Sequence, residues 1–243
     1  MNNIKGYIYA AASSSTFGLA PFFTISLLAS GFSSFEVLAY RWGIASLTLG
    51  IFGVLLREPF RISRKDWGTI FVLSLLRAAT SLSLVIAYQH IASGVASTIH
   101  FMYPLAVALA MIFFFREKKS FSILFAVLVS LAGAALLSSG EIDFKGGNTT
   151  TGLIAATLSV FFYGGYIVGV RKSRAIHIPS TALTCYVMGL GALFFIIGGS
   201  LTGGIQLATG GQTWLNIFGL ALPATAISNI TLVKAIKYIG PTL

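Results

Sequence analysis

Residues 67–91 read WGTIFVLSLLRAATSLSLVIAYQHI, in which Arg77 is the only Lys, Arg, Asp or Glu. At about 1.5 Å of rise per residue, such a run crosses the roughly 30 Å of a bilayer's hydrocarbon as one helix. Seven runs of the same kind flank it, at 6–28, 35–56, 95–115, 121–139, 152–170, 181–201 and 214–234. Composition agrees. With 56% hydrophobic and 9% charged residues and a mean hydropathy of +0.88, the chain has too little polar surface to clothe a soluble globule. The first run is long for a signal peptide and is followed at once by further spans, so it reads as an uncleaved helix. A polytopic, all-α integral membrane protein is the expectation.

The net charge of +10 does not point to nucleic acid, because the basic residues are sorted by loop rather than gathered on a helix face. With the N-terminus in the cytoplasm, thirteen Lys and Arg fall in inner segments, among them Arg57, Arg61, Arg64, Lys65, Arg171, Lys172 and Arg174. The outer loops hold only Lys145, and the other two, Arg41 and Arg77, lie within spans. Positive charge accumulates on the cytoplasmic side of membrane proteins, so the N-terminus is placed inside.

A fixed offset brings two halves of the chain into register. Gly6-Tyr7-Ile8 matches Gly152-Leu153-Ile154, Phe17-Gly18 matches Tyr163-Gly164, and Ser34 matches Ser180, each 146 residues apart. WGTIF at 67–71 then matches WLNIF at 214–218 at 147, and Leu84-Val85 matches Leu232-Val233 at 148. Five spans separate matched helices, so the second copy must run through the membrane in the opposite sense. The domains read as a first five-helix repeat, 1–140, and a second, 152–243, that stops about two helices short of its own symmetry.

This pattern resembles the EamA-type permeases of the drug/metabolite transporter (DMT) superfamily. The likeness rests on Ala39-Tyr40-Arg41-Trp42, YQHIASG at 88–94, Met102-Tyr103-Pro104, Glu117-Lys118, Tyr163-Gly164-Gly165-Tyr166 and Lys237-Tyr238-Ile239-Gly240-Pro241. It implies a ten-helix fold of two inverted repeats, here cut after about eight helices. It also implies a substrate cavity near the midplane, lined by the first, third, fourth, sixth, eighth and ninth helices. Members move amino acids, sugar phosphates, nucleotide sugars and other metabolites, so the resemblance identifies an architecture and not a substrate.

Arg77 is the sharpest site candidate. It lies ten residues beyond Trp67, about 15 Å into its span, too deep to reach either surface by extending its side chain. All six acids, Glu36, Glu58, Asp66, Glu117, Glu141 and Asp143, lie in loops or near span ends. Two readings stand side by side: a structural Arg bonded to freed carbonyls, or a cavity Arg whose fork binds the anionic group of a substrate. Thr80, Ser81 and Tyr88 continue its helix face as a polar stripe, which also suits plain helix packing. Tyr88 suits an interfacial aromatic belt equally well.

His100 and Tyr103 share a face at i and i+3, beside Pro104. Tyr163 with Tyr166, and Thr225 with Asn229, share faces of their own spans. Pro21, Pro104 and Pro223 each lack the N–H that would bond the carbonyl four residues back, which interrupts their helices. Arg41, six residues into its span, reads as structural, extending outward towards Glu36.

The substrate-binding set is therefore Arg77, Ser81, Tyr88, His100, Tyr103, Tyr163, Tyr166 and Asn229, with no catalytic residues. The three histidines are scattered and Cys185 is alone, so no metal site, cofactor or disulfide is expected. No P-loop, HExxH, CxxC or GxSxG occurs. The function expected is a secondary permease of the bacterial inner membrane, moving a small anionic or zwitterionic metabolite by alternating access. An exported amino acid or similar compound is the first expectation, and a homodimer stays open. The rivals are an intramembrane enzyme, which needs paired acids or a nucleophile dyad at depth, and a structural or receptor subunit, which needs no inverted repeat.

Overall fold

A computed structural model of the protein describes residues 2–116 and 147–240, together with positions 125, 128, 129 and 132. The span expected at 121–139 lies almost wholly outside the described residues, as do Glu117, Lys118, Glu141, Asp143 and Lys145. The elements are α1 (Asn2–Phe17), α2 (Ala20–Ala29), α3 (Ser34–Leu55), α4 (Trp67–His90), α5 (Ser93–His100) and α6 (Tyr103–Phe115). After the undescribed stretch come α7 (Thr149–Lys172), α8 (Ser180–Thr202), α9 (Gly211–Ala221), a π-helical turn (Leu222–Ile227) and α10 (Ser228–Ile239). No strand occurs among the described residues.

Seven segments are long and apolar enough to cross a membrane: Ile4–Ala29, Ser34–Leu55, Arg64–His90, Ser93–Phe115, Thr149–Lys172, Ser180–Thr202 and Gly211–Ile239. They match seven of the eight runs read from the sequence to within a few residues. The protein is an all-α integral membrane protein.

Three of the seven are broken, each at a proline. The first breaks at Gly18-Leu19, where Leu19 N–H turns back to Thr16 in an i→i−3 bond just before Pro21. The fourth breaks at Phe101-Met102, before Pro104, with Met102 N–H on Ile99. In the last, Pro223 sits in the π turn, and the Thr225 hydroxyl donates to the Leu220 carbonyl at 2.7 Å, five residues back. A proline removes one helical donor and crowds the turn before it, so local 3₁₀ or π geometry takes up the strain. The π turn adds one residue to a helix, and it lies in the interval where the repeat register moves from 147 to 148.

The described residues form two compact units. One holds 2–78 with 170–240, the other the described part of 79–169, and both α4 and α7 run from one into the other. In the first unit α3 packs along α8 and α1 along α10. Small side chains set these contacts. Ser13 and Ser228 hydroxyls each donate to the other's carbonyl, at 2.8 and 3.2 Å, and Ser46 and Cys185 do the same at 2.9 and 3.4 Å. Lipid gives helices no hydrophobic reason to associate, so close backbone approach and such bonds hold them together. Gly6 abuts Ile239, and in the second unit a Cβ on Gly152 would stand 2.6 Å from Ile91 Cγ2.

The start of α3 is fixed by a capping box. Glu36 N–H donates to Ser33 Oγ and Ser33 N–H to Glu36 Oε2 at 2.7 Å. The other Glu36 oxygen accepts the Gln206 N–H at 2.6 Å, tying the loop before α9 to α3.

Candidate functional site

Each unit carries a buried polar cluster. That of the first unit centres on Arg77, in the interior of α4 and 2% exposed. Its Nε donates to Asn229 Oδ1 at 3.0 Å, and the Asn229 amide donates to the Thr225 carbonyl at 2.8 Å, one turn back. Arg77 Cζ lies 6.0 Å from the centre of the Trp42 ring, close enough for a cation–π attraction. Ser74, one turn before Arg77, donates to the Val187 carbonyl of α8 at 2.7 Å and so pins α4 at this level.

Arg41 does not extend to the surface as the sequence suggested. It is 5% exposed, and its Nε donates to Thr225 Oγ1 at 2.5 Å. Sequence spacing within α3 contains no hint of this, because the acceptor lies 184 residues away. The one available signal was indirect: a Thr four residues before Asn229, beside the proline of a helix expected to be interrupted. Trp42, next to Arg41, is 1% exposed and meets Phe195 edge to face at 5.4 Å. Its indole N–H has no hydrogen-bond partner among the described residues, an uncommon state for a buried donor.

The second unit gathers His100, Tyr103, Tyr163 and Tyr166 into one aromatic cluster. His100 and Tyr163 rings are 5.1 Å apart, Tyr103 meets Tyr163 edge-on at 4.5 Å, and Tyr163 and Tyr166 lie nearly parallel at 6.3 Å. The break before Pro104 turns α5 into α6 at His100 and so aims His100 and Tyr103 at α7. His100 Nδ1 lies 2.9 Å from Ser159 Oγ, whose single proton goes to the Ala156 carbonyl at 2.6 Å. With the Ser159 proton so placed, Nδ1 is the donor to Ser159 Oγ.

Of the remaining predicted residues, Ser81 is buried and Tyr88 is 6% exposed, its hydroxyl 3.2 Å from Ser97 Oγ. Tyr88 is thus a packed, hydrogen-bonded residue. The whole stripe of Arg77, Thr80, Ser81, Leu84 and Tyr88 is buried.

The model of the EamA-like transporter family matches residues 4–139 and 150–243. The chain belongs to the EamA-like transporter family. A crystal structure titled only as that of a protein is similar to this EamA-like chain at a TM-score of 0.72 and 18% identity, covering 99% of this chain and 84% of that one. At that identity the likeness shows the fold alone. No curated protein matches. Family membership supports the sequence's resemblance to the DMT superfamily and makes the protein a membrane protein of a transporter family. Of the motif residues behind that resemblance, Glu117, Lys118 and Pro241 lie outside the described residues.

Proposed function

We propose that this chain is a secondary permease that moves a small organic metabolite bearing an acidic group across a bacterial inner membrane by alternating access, with its N-terminus in the cytoplasm. The observation that carries the reading is Arg77: a guanidinium buried at the interior of a spanning helix of a transporter-family chain, held by a neutral amide. Intramembrane charge is costly and marks substrate paths and relays, and a neutral acceptor gives way readily to an ionised one.

Three further features support it. The inner loops gather the basic residues, as in the sequence reading. Three spans are broken at prolines, as helices at the substrate sites of inverted-repeat transporters are, and the π turn places such a break beside Arg41 and its acceptor. The Gly6–Ile239 and Gly152–Ile91 contacts correspond under the repeat register, each joining one copy to the other.

In this reading Arg77 and Asn229 meet the substrate's acidic group. Ser81, Tyr88 and the aromatic cluster of His100, Tyr103, Tyr163 and Tyr166 belong to the other unit, where the cluster offers a substrate apolar and hydrogen-bonding groups of its own. The test is flux of a radiolabelled metabolite panel through proteoliposomes holding the purified chain. Saturable uptake with counterflow of at least one acidic metabolite is the expected result; leak-level flux for the whole panel removes the reading.

A further inference from the structure

We propose that α3, α8 and the segments that follow them form the fixed frame of the transport cycle, fastened at each membrane face by one tyrosine clasp: Tyr40 on the Gln206 carbonyl and Tyr186 on the Phe60 carbonyl. The proposal rests on the permease reading and assigns the part of the chain that keeps its shape while a substrate crosses.

Tyr40 Oη donates to the Gln206 carbonyl at 2.7 Å, and Tyr186 Oη to the Phe60 carbonyl at 3.0 Å. Tyr186 stands 146 residues after Tyr40 and Gln206 146 after Phe60, so each bond is the other with the copies exchanged. That offset is set by Gly6, Phe17, Ser34 and their matches, none of which takes part in either bond. The rings repeat the pattern. Tyr40 meets Trp214 edge to face at 6.1 Å, and Tyr186 meets Trp67 edge to face at 5.4 Å, the two tryptophans being matched residues of the repeat. So does the backbone. After α3, Glu58 N–H bonds the Gly53 carbonyl at 2.9 Å with Arg57 at φ 54°; after α8, Gly204 N–H bonds the Gly199 carbonyl at 2.8 Å with Gly203 at φ 148°. Each pair is again 146 apart. Both clasps grip a backbone carbonyl, so the bond survives the change from Phe60 in one copy to Gln206 in the other.

The clasps sit at opposite ends of one antiparallel helix pair. A Cβ on Gly199, near the end of α8, would stand 3.4 Å from Phe35 Cβ at the start of α3, and one on Gly53, near the end of α3, 3.3 Å from Thr181 Cγ2 at the start of α8. Both helices are long enough to span, so one clasp falls at each face of the membrane. Alternating access rocks one body against another and exchanges the conformations of the two inverted copies. A contact made in both copies is therefore common to both end states. Two gates opening in turn would also both be shut in an occluded form, but α3 packs along α8, and the reciprocal Ser46 and Cys185 bonds join them between the clasps. The Tyr40 clasp carries extra bonds, from Gln206 N–H to Glu36 and from Ala208 N–H to Tyr40 Oη, and Glu36 has Ala182 as its counterpart. The copies thus differ in the strength of the clasp and not in its presence.

A disulfide across the Tyr40 end tests the frame. In a Cys185→Ser background, Phe35→Cys with Gly199→Cys brings the two Cβ atoms close to the separation of about 3.8 Å that a disulfide spans. Uptake of the radiolabelled metabolite panel into proteoliposomes is measured after oxidation with copper phenanthroline and again after reduction with dithiothreitol. Oxidised flux within twofold of reduced flux is expected. A greater loss on oxidation, regained on reduction, overturns the proposal while leaving the permease reading intact. Should the cysteine pair not fold, a second measurement decides. Double electron–electron resonance in nanodiscs is recorded for spin labels at Leu47→Cys with Leu207→Cys, and at their counterparts Leu193→Cys with Arg61→Cys, all exposed positions. Each pair is expected to give a single distance peak, and two resolved peaks at either pair overturn the proposal. Single peaks with no flux of any compound, in wild type or variant, keep the rigid frame and remove the permease reading instead.

Discussion

Gly152 lies against Ile91 so closely that a Cβ would stand 2.6 Å from Ile91 Cγ2 and 3.1 Å from His90 Cβ. Gly6 meets Ile239 in the same manner. In the sequence register Gly6 pairs with Gly152 and Ile91 with Ile239, so the two contacts are counterparts with the copies exchanged. Overfilling a packed site costs about 1–3 kcal/mol. Gly152→Val is expected to lower thermal stability in detergent by that order, and Ile91→Ala, which vacates the space, to restore part of it. The recovery is the informative quantity, since residues in contact are non-additive. Purely additive losses would show that the glycine is not there for Ile91.

Orientation is checked by labelling. In a Cys185→Ser background, Ser63→Cys is expected to react with a membrane-impermeant maleimide only after the membrane is opened, and Leu207→Cys in intact spheroplasts. Both positions are exposed, Leu207 at 85%. The reverse pattern would invert the topology drawn from the basic loops.

Pro223 holds the π turn beside Arg41's acceptor. A proline in a helix interior costs about 3 kcal/mol, so Pro223→Ala is expected to leave the protein as stable as wild type or more so. Flux is expected to fall severalfold, because a regular helix no longer presents Thr225 at its present angle. Unchanged flux with raised stability would reduce the turn to a packing kink.

The sequence resolved what depends on local chemistry. Run length and composition placed seven described spans to within a few residues, and Pro21, Pro104 and Pro223 marked all three broken helices, since a missing N–H is a property of one residue. The depth of Arg77 was legible for the same reason. Partners were not: Asn229 is 152 residues from Arg77, and Thr225 is 184 from Arg41. Counting along α3 gave Arg41 an outward route to Glu36, but the packing of α3 against the last span turned it inward and left Glu36 to the capping box and Gln206. The π turn was visible only as a slip in the repeat register, which a loop insertion would have produced equally well.

Arg77 is where the transport reading is most exposed to test. Removing a charged hydrogen-bond donor from a buried ligand costs about 1.5–3 kcal/mol, roughly a ten- to hundredfold loss of affinity. The measurement is initial flux of a transported acidic metabolite into proteoliposomes holding equal amounts of wild-type and Arg77→Ala protein, each monodisperse on gel filtration. A drop of at least tenfold in flux at low substrate concentration is the predicted result. Equal flux in the two preparations would contradict a role for Arg77 at the substrate site.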